Sequence, residues 1–401
     1  MFLTNPAPST FIHRVQVKNY RSIAACDVQL GALTFLVGQN GSGKSNFLDA
    51  LRLTADALVQ TLDHALRDRG GIAEVRRRSG GHPTHFGIRL DFSLPDGQAG
   101  HYAFEVGARQ GGSFVVRVEE CGVGSHSYRV EDGNVVRSSM ATLPAASEDR
   151  LYLVTASGIA EFRAVYDALS MMGFYSLNPA AVRALQTPDR GEILKRDGAN
   201  LASVVERIAH ANGGALQQRI EEYLAQVVPG IEGVETKKFG HMETIEFRQR
   251  VQGADKPWRF PAINMSDGTL RALGILVALF QKPERGRIPL VGIEEPEAAL
   301  HPAAAGVLRD CLREASRNTQ VIVTSHSPDL LDDRDLPEDF LLAVVSELGT
   351  THIGRVDEVT RSALREHLFT AGELLRSDQL RPGDTARRTP EQLRLFDGSA
   401  P

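Results

Sequence analysis

An α/β fold follows from three features of the sequence. An apolar strand, Phe35-Leu36-Val37, runs into a glycine-rich turn over 38–43 and then into a helical pattern carried by Phe47, Leu48, Leu51, Leu58 and Leu62. Two more short apolar runs, 289–293 and 320–324, flank a helical stretch at 303–315, the alternation expected of a parallel sheet. Phe86, Ile88, Leu90 and Phe92, then Tyr102, Phe104 and Val106, recur with period two and add antiparallel strands.

The remaining elements fall around these. Residues 1–10 read as a loose lead-in, and Val15 and Val17 mark a strand ahead of Phe35. The helix after the glycine turn extends from Lys44 to about Arg67 on its apolar spacing. Residues 70–82 have glycine pairs at both ends and read as a mobile surface segment. Strands at 114–118 and 127–130, separated by Gly/Asp turns, complete a meander. From 157 to 228 the pattern turns helical, with apolar faces at Leu201, Val204, Val205 and Ile208 and at Ile220, Tyr223, Leu224 and Val227. Neither face sustains the heptads of a long coiled coil. Strands return near 244–251 and 259–263, and a helix begins after Gly268. The polar, proline-bearing tail from 381 is expected to be disordered.

The bulk numbers exclude little. With 45 Lys and Arg against 50 Asp and Glu the formal charge is −5, so no global electrostatic argument points to nucleic acid. Cys26, Cys121 and Cys311 are odd in number and lack metal-ligand spacing, which reads as free thiols in a reducing cytosol. The longest apolar run, 272–280, is too short for a membrane span of ~20 residues. The N-terminus has no signal-peptide pattern, so the expectation is a cytoplasmic protein without membrane insertion.

Four motifs suggest chemistry. Gly38-Gln39-Asn40-Gly41-Ser42-Gly43-Lys44-Ser45 fits the phosphate-loop pattern G-x-x-x-x-G-K-S/T. Glycines let backbone N–H groups turn inward around phosphates, and the following helix points its positive end at the same anion. Lys44 would reach the β- and γ-phosphates of ATP, and the Ser45 hydroxyl would ligate Mg²⁺. Second, the strand Leu290-Val291-Gly292-Ile293 ends in Glu294-Glu295, which delivers two carboxylates to the sheet edge. Glu294 is assigned to the metal and Glu295 to the attacking water. Third, the 321–324 strand ends at Ser325-His326, where His326 is read as sensing or hydrogen-bonding the γ-phosphate; a locally satisfied strand-end histidine is the alternative. Fourth, Ser266 and Gly268 open the apolar helix at 270–280, an anion site or a plain N-cap.

The order of these motifs resembles the ABC-type ATPase head, and within it the SMC/RecF/OLD-like branch. Val17-Lys18-Asn19-Tyr20-Arg21-Ser22 looks like that branch's opening strand, and Asn40 to Asn46 matches its NGSGKSN loop. The stretch EEPEAALHP resembles its acidic strand and D-loop, and TSHSP its switch histidine. The resemblance implies a P-loop NTPase with a β-rich lobe and an inserted helical lobe. The expected division is 1–155 for the N-terminal part of the core, 156–232 for the helical lobe, 233–380 for the C-terminal part, and 381–401 for the tail. It also implies Mg²⁺-dependent ATP hydrolysis in a homodimer that sandwiches ATP. Ser266 and Gly268 of one subunit would complete the partner's site, and Arg21 would approach the nucleotide; a solvated strand-end arginine is its plainer reading.

Three departures accompany the resemblance. The signature is MSDGT where transporters have LSGGQ, Glu294 replaces the usual Asp, and lobe I offers no assignable Q-loop glutamine. Asp333-Arg334-Asp335 reads as a loop rather than a Toprim metal pair, so a nuclease would be a separate partner. Arg76-Arg77-Arg78 reads as a solvated loop ahead of a DNA contact. The functional expectation is a switch in a DNA-associated process, repair or anti-phage defence, with a separate effector protein as partner and DNA as a candidate one. The alternatives are a transporter's cytoplasmic ATPase subunit and a nucleotide-gated binding module with little turnover.

Overall fold

A computed structural model describes residues 10–79, 82–284 and 286–396. The chain forms two compact units, Met1–Met172 with Arg334–Pro401, and Gly173–Asp333. The strands are β1 (Ile12–Tyr20), β2 (Ile23–Gln29), β3 (Leu33–Val37), β4 (His85–Ser93), β5 (Ala99–Ala108), β6 (Phe114–Val123), β7 (His126–Glu131), β8 (Asn134–Ser138), β9 (Gly173–Tyr175), β10 (Ile231–Phe239), β11 (Met242–Gln249), β12 (Trp258–Pro261), β13 (Leu290–Glu294), β14 (Gln320–Ser325), β15 (Leu341–Glu347) and β16 (Thr350–Arg355).

In the first unit the strand order is β8-β7-β6-β5-β4-β1-β2-β16-β15-β3. The expected meander is present as the antiparallel run from β4 to β8. β3 is buried at all five positions, as suits a strand covered on both faces. Its neighbour β15 runs parallel to it, with Ala343 opposite Val37. The hairpin of β15 and β16 turns at Leu348-Gly349, both at positive φ, and escaped the sequence reading, as did β2.

The second unit has a parallel set, β14-β13-β9, and an antiparallel set, β10-β11-β12. β13 and β14 are apolar, buried runs paired from Leu290–Gln320 to Glu294–Thr324. The helix Asp267–Phe280 is buried at ten of its fourteen positions, so it forms the unit's core rather than a surface face.

Several expectations need correction. The helix expected to reach Arg67 stops at Val59; Gln60 leaves helical geometry and the Thr61 side chain caps a second helix, Leu62–Arg67. The 70–82 segment is not free surface where it is described. Arg76 bridges to Tyr20, the Arg77 N–H donates to the Asn19 carbonyl at 2.7 Å, and the Arg77 guanidinium donates to Thr350 Oγ1 at 2.8 Å. Gly80 and Gly81 lie outside the described residues, as do residues 1–9 of the lead-in.

The tail expected to be disordered is packed from 382 to 396; its last five residues lie outside the described set. Leu393 and Leu395 are buried, and Arg89 donates to the Leu395 carbonyl at 2.9 Å. Arg388 pairs with the buried Asp27 at 2.7 Å. These two buried leucines, with one residue between them, anchor an otherwise polar segment. The boundary expected at 155/156 falls inside the first unit, because the helix Ala160–Ser170 packs on Lys44–Val59. Among the described residues no helix is long and apolar enough to cross a membrane. The three cysteines are buried and free.

Candidate functional site

β3 delivers the chain to the glycine loop, and the loop is shaped by its neighbours. A Cβ on Gly38 would lie 2.0 Å from the Val344 carbonyl oxygen of β15. Gly41 and Gly43 have φ of 78° and 104°, a region open to glycine at little cost. Gly43 sits at the N-cap of Lys44–Val59 with no side chain capping that helix. The positive end of the helix is therefore left without a side-chain cap. Lys44 is buried, and its ammonium donates to the Gly38 and Gln39 carbonyls at 2.8 and 3.0 Å. Ser42 Oγ is buried and has no hydrogen-bond partner among the described residues. Ser45 is exposed on the first turn, and Asn40 and Gly41 are exposed on the loop.

A small network supports the loop from below. Thr351, at 1% exposure, donates to the Ser42 carbonyl at 2.9 Å and shares a 2.7 Å hydrogen bond with Ser22. Asn46 Nδ2 donates to Ser22 Oγ at 2.7 Å. Arg21 has φ of 47° and pairs with Asp49 at 2.9 Å. Asp49 is on the loop's own helix and also accepts from Tyr20, Arg52 and Arg69. Thr351 was missed because a threonine in a hairpin distant in sequence carries no motif.

In the second unit the acidic strand end and the histidine strand end come together. Glu294 lies opposite Thr324, and the Glu295 N–H donates to the Thr324 carbonyl at 3.0 Å. Glu295 has φ of 45°, so the chain leaves β13 through a left-handed turn that a glutamate adopts only under strain. Glu295 Oε1 and His326 Nδ1 are 3.2 Å apart, within ion-pair reach but not aligned as a hydrogen bond. Arg196 donates to Glu294 Oε1 at 2.8 Å.

Glu297 also belongs to this cluster, though the sequence reading gave it no role. Its Oε1 accepts from Ser325 Oγ at 2.7 Å and from the His326 N–H at 3.3 Å, while its Oε2 is buried with no hydrogen-bond partner among the described residues. Burial pushes this carboxyl above the usual carboxylate range, against the hydrogen bonds that favour the ionised form. A third acid two residues beyond Glu295 was the available signal.

Ser266 is the N-cap of Asp267–Phe280, its side chain accepting from the Thr269 N–H at 3.2 Å. A Cβ on Gly268 would lie 2.4 Å from the Ala299 carbonyl oxygen, so the helix start is packed against the turn that follows the acidic strand. Arg183 donates to the Met265 carbonyl at 3.1 Å and pairs with Asp267, which offsets an acid at the head of this helix.

The donor types suit a hard cation. Hydroxyl and carboxylate oxygens are magnesium's preferred ligands, and Mg²⁺ commonly takes one or two carboxylates together with a nucleotide's phosphates. Among the described residues no group of three or more His, Cys, Asp or Glu forms a metal cage.

The family model described as "AAA domain, putative AbiEii toxin, Type IV TA system" matches residues 33–332. The "OLD nuclease" of Thermus scotoductus (strain ATCC 700910 / SA-01) is 26% identical over 336 residues, covering 80% of this chain. The chain spans about 60% of that relative's length. An SMC head bound to the C-winged helix domain of ScpA aligns with a TM-score of 0.53 at 14% identity, over 86% of this chain and 96% of its own. The Pyrococcus furiosus Smc head domain with an extended coiled coil, bound to the C-terminal domain of ScpA, also gives 0.53 at 14% identity, over 89% and 99%. These likenesses establish the P-loop NTPase fold of an ABC-type ATPase head. The chain belongs to the AAA domain family whose model it matches.

Proposed function

We propose that this chain binds ATP at Gly38–Ser45 and hydrolyses it with Mg²⁺, and that ATP joins two copies into a dimer. The observation that carries the reading is the glycine loop itself. A buried lysine is folded onto loop carbonyls, a buried hydroxyl lacks a partner, and the helix end behind them is uncapped. Triphosphate would supply the missing partners. Bound Mg²⁺ would neutralise phosphate charge and orient the leaving group.

The chain's own residues take the remaining roles in this proposal. Lys44 leaves the Gly38 and Gln39 carbonyls for the β- and γ-phosphates. Gly38, Asn40, Gly41, Ser42, Gly43 and Asn46 shape the cradle. Ser45 and Glu294 serve the cation. Glu295 accepts a proton from the attacking water, with His326 holding its carboxylate and contacting the γ-phosphate. Arg21 exchanges Asp49 for the nucleotide. Ser266 and Gly268 present the head of their helix to the γ-phosphate held by a second copy.

The process we favour is a DNA-associated switch, repair or anti-phage defence, acting through an effector protein. Support comes from the relative named as a nuclease and from the toxin–antitoxin wording of the family description. A nucleotide-gated module with little turnover is the second reading, because Arg196 already occupies Glu294.

Purified protein should hydrolyse ATP only with Mg²⁺, and Lys44→Ala should lose nucleotide binding. Glu295→Gln should accumulate an ATP-dependent dimer by light scattering. An unchanged monomer mass with ATP would sink the sandwich. Dimer formation in wild type without measurable phosphate release would favour the second reading.

A further inference from the structure

Beneath the phosphate loop, Asn46, Ser22 and Thr351 form a hydrogen-bonded row whose direction is fixed by its ends. Thr351 Oγ1 lies 2.9 Å from the Ser42 carbonyl oxygen and 2.7 Å from Ser22 Oγ, and Asn46 Nδ2 lies 2.7 Å from Ser22 Oγ. A carbonyl oxygen only accepts, so the Thr351 hydroxyl proton points at Ser42. Thr351 Oγ1 must then accept from Ser22. With its own proton so engaged, Ser22 must accept from the Asn46 amide. Donation therefore runs one way, from Asn46 through Ser22 and Thr351 to the Ser42 carbonyl. The loop end of the row is closed to water, with Thr351 1% and Ser42 4% exposed. Its members come from the turn between β1 and β2, the start of β16 and the first turn of Lys44–Val59, all within the first unit. Main-chain contacts hold them in place: the Thr351 N–H donates to the Ser22 carbonyl at 2.9 Å, and the Arg77 guanidinium donates to that carbonyl at 3.2 Å.

We propose that Thr351 is a positioning residue which, through this row, makes the Gly43 N–H a stronger donor to a bound phosphate. The inference rests on the ATP reading above. The Ser42 carbonyl and the Gly43 N–H are the two ends of one peptide unit. Peptide resonance moves electron density from nitrogen toward oxygen. A hydrogen bond accepted at that oxygen favours the shift and leaves the N–H more positive. Each hydroxyl that accepts while it donates is polarised in turn, and a low local dielectric preserves the effect. Gly43 stands at the N-cap, where the helix dipole already favours an anion. The row adds to that preference without any of its hydroxyls touching the ligand.

The test combines a titration of the full chain with a fluorescent ATP analogue and the Gly43 amide resonance of the ligand-free, isotope-labelled protein. Thr351→Val keeps the side-chain shape and removes the hydroxyl. It should bind about tenfold more weakly than wild type, the loss expected when a buried carbonyl loses its donor, and the Gly43 amide should move upfield. Ser22→Ala leaves Thr351 on Ser42 and cuts the row one step back. It should bind about threefold more weakly, with a smaller upfield move. Thr351→Ser restores the hydroxyl and should bind within about twofold of wild type. A Gly43 resonance unmoved in both Thr351→Val and Ser22→Ala would overturn the proposal. So would Ser22→Ala that binds as wild type does, which makes Thr351 a prop and nothing more. Ser22→Ala and Thr351→Ser carry the test if the valine variant fails to fold. Wild type that binds no analogue, indistinguishable from Lys44→Ala, fails the ATP reading, while the resonance shifts still decide whether the row polarises the amide.

Discussion

Position 43 accepts only glycine, for two separate reasons. Its φ of 104° is a conformation that a side chain resists, and a Cβ there would lie 2.0 Å from Thr351 Oγ1. Gly43→Ala must therefore push the loop off the threonine that donates to the Ser42 carbonyl. The loop would lose its inward-turned N–H groups while the sheet beneath it stays intact. Analogue affinity should drop at least about a hundredfold in a titration, with a melting temperature within a few degrees of wild type, as αL strain of ~1–2 kcal/mol is local. A variant that still binds would mean the cradle tolerates another backbone path. The loop's glycines, Lys44 and Ser45 were legible in the sequence because phosphate binding needs those residue types at that spacing. Thr351 and Arg196 were not, since each works through a contact made by folding, and Glu297 left only its place in the acidic run as a signal.

Among the elements, the β meander and the helix Tyr152–Ala156 are joined by one buried acid. Glu119 is fully buried and accepts from the Tyr102 and Tyr128 hydroxyls at 3.1 and 2.9 Å and from the Tyr152 and Leu153 N–H groups. Burial raises its carboxyl from 4.5 to about 7, with the four hydrogen bonds pulling the other way. A raised acid means the folded state holds its proton where the unfolded chain has already lost it. Stability is then greatest below 4.5 from this group and falls as pH rises toward about 7, after which the slope vanishes. Thermal unfolding across that window should show the decline, and Glu119→Gln should flatten it. A Glu119→Gln profile parallel to wild type would assign the slope to other groups. The meander itself was readable from its period-two alternation. The hairpin of β15 and β16 was not singled out, because its apolar run Leu341-Leu342-Ala343-Val344-Val345 does not alternate. A fully buried strand and a short buried helix look alike in sequence.

For the molecule as a whole, the first unit is built from two distant stretches of chain. β2 takes β16 as its parallel neighbour and β3 takes β15. The segment beyond them is fastened by Leu395, whose side chain lies where a Cβ on Gly87 would come within 2.4 Å. Leu395→Ala should destabilise this unit by about 2–3 kcal/mol, the usual loss for truncating a buried leucine that can partly collapse. The measurement is a shift of the unfolding midpoint, with nucleotide affinity per folded molecule unchanged. No shift would show that the segment lies on the sheet without bracing it. Polar composition around Leu393 and Leu395 hid this packing from the sequence.

The discontinuity of the first unit also bears on how the protein is made. Residues 173–333 form a continuous stretch and can pack as soon as they leave the ribosome. The strand that carries the phosphate loop waits longer, because its parallel neighbour β15 begins only at Leu341. Synthesis thus finishes the acidic and histidine strand ends before the loop has its sheet. A nascent chain would spend that interval with the edges of β2 and β3 uncovered, and those edges are where a chaperone would find it.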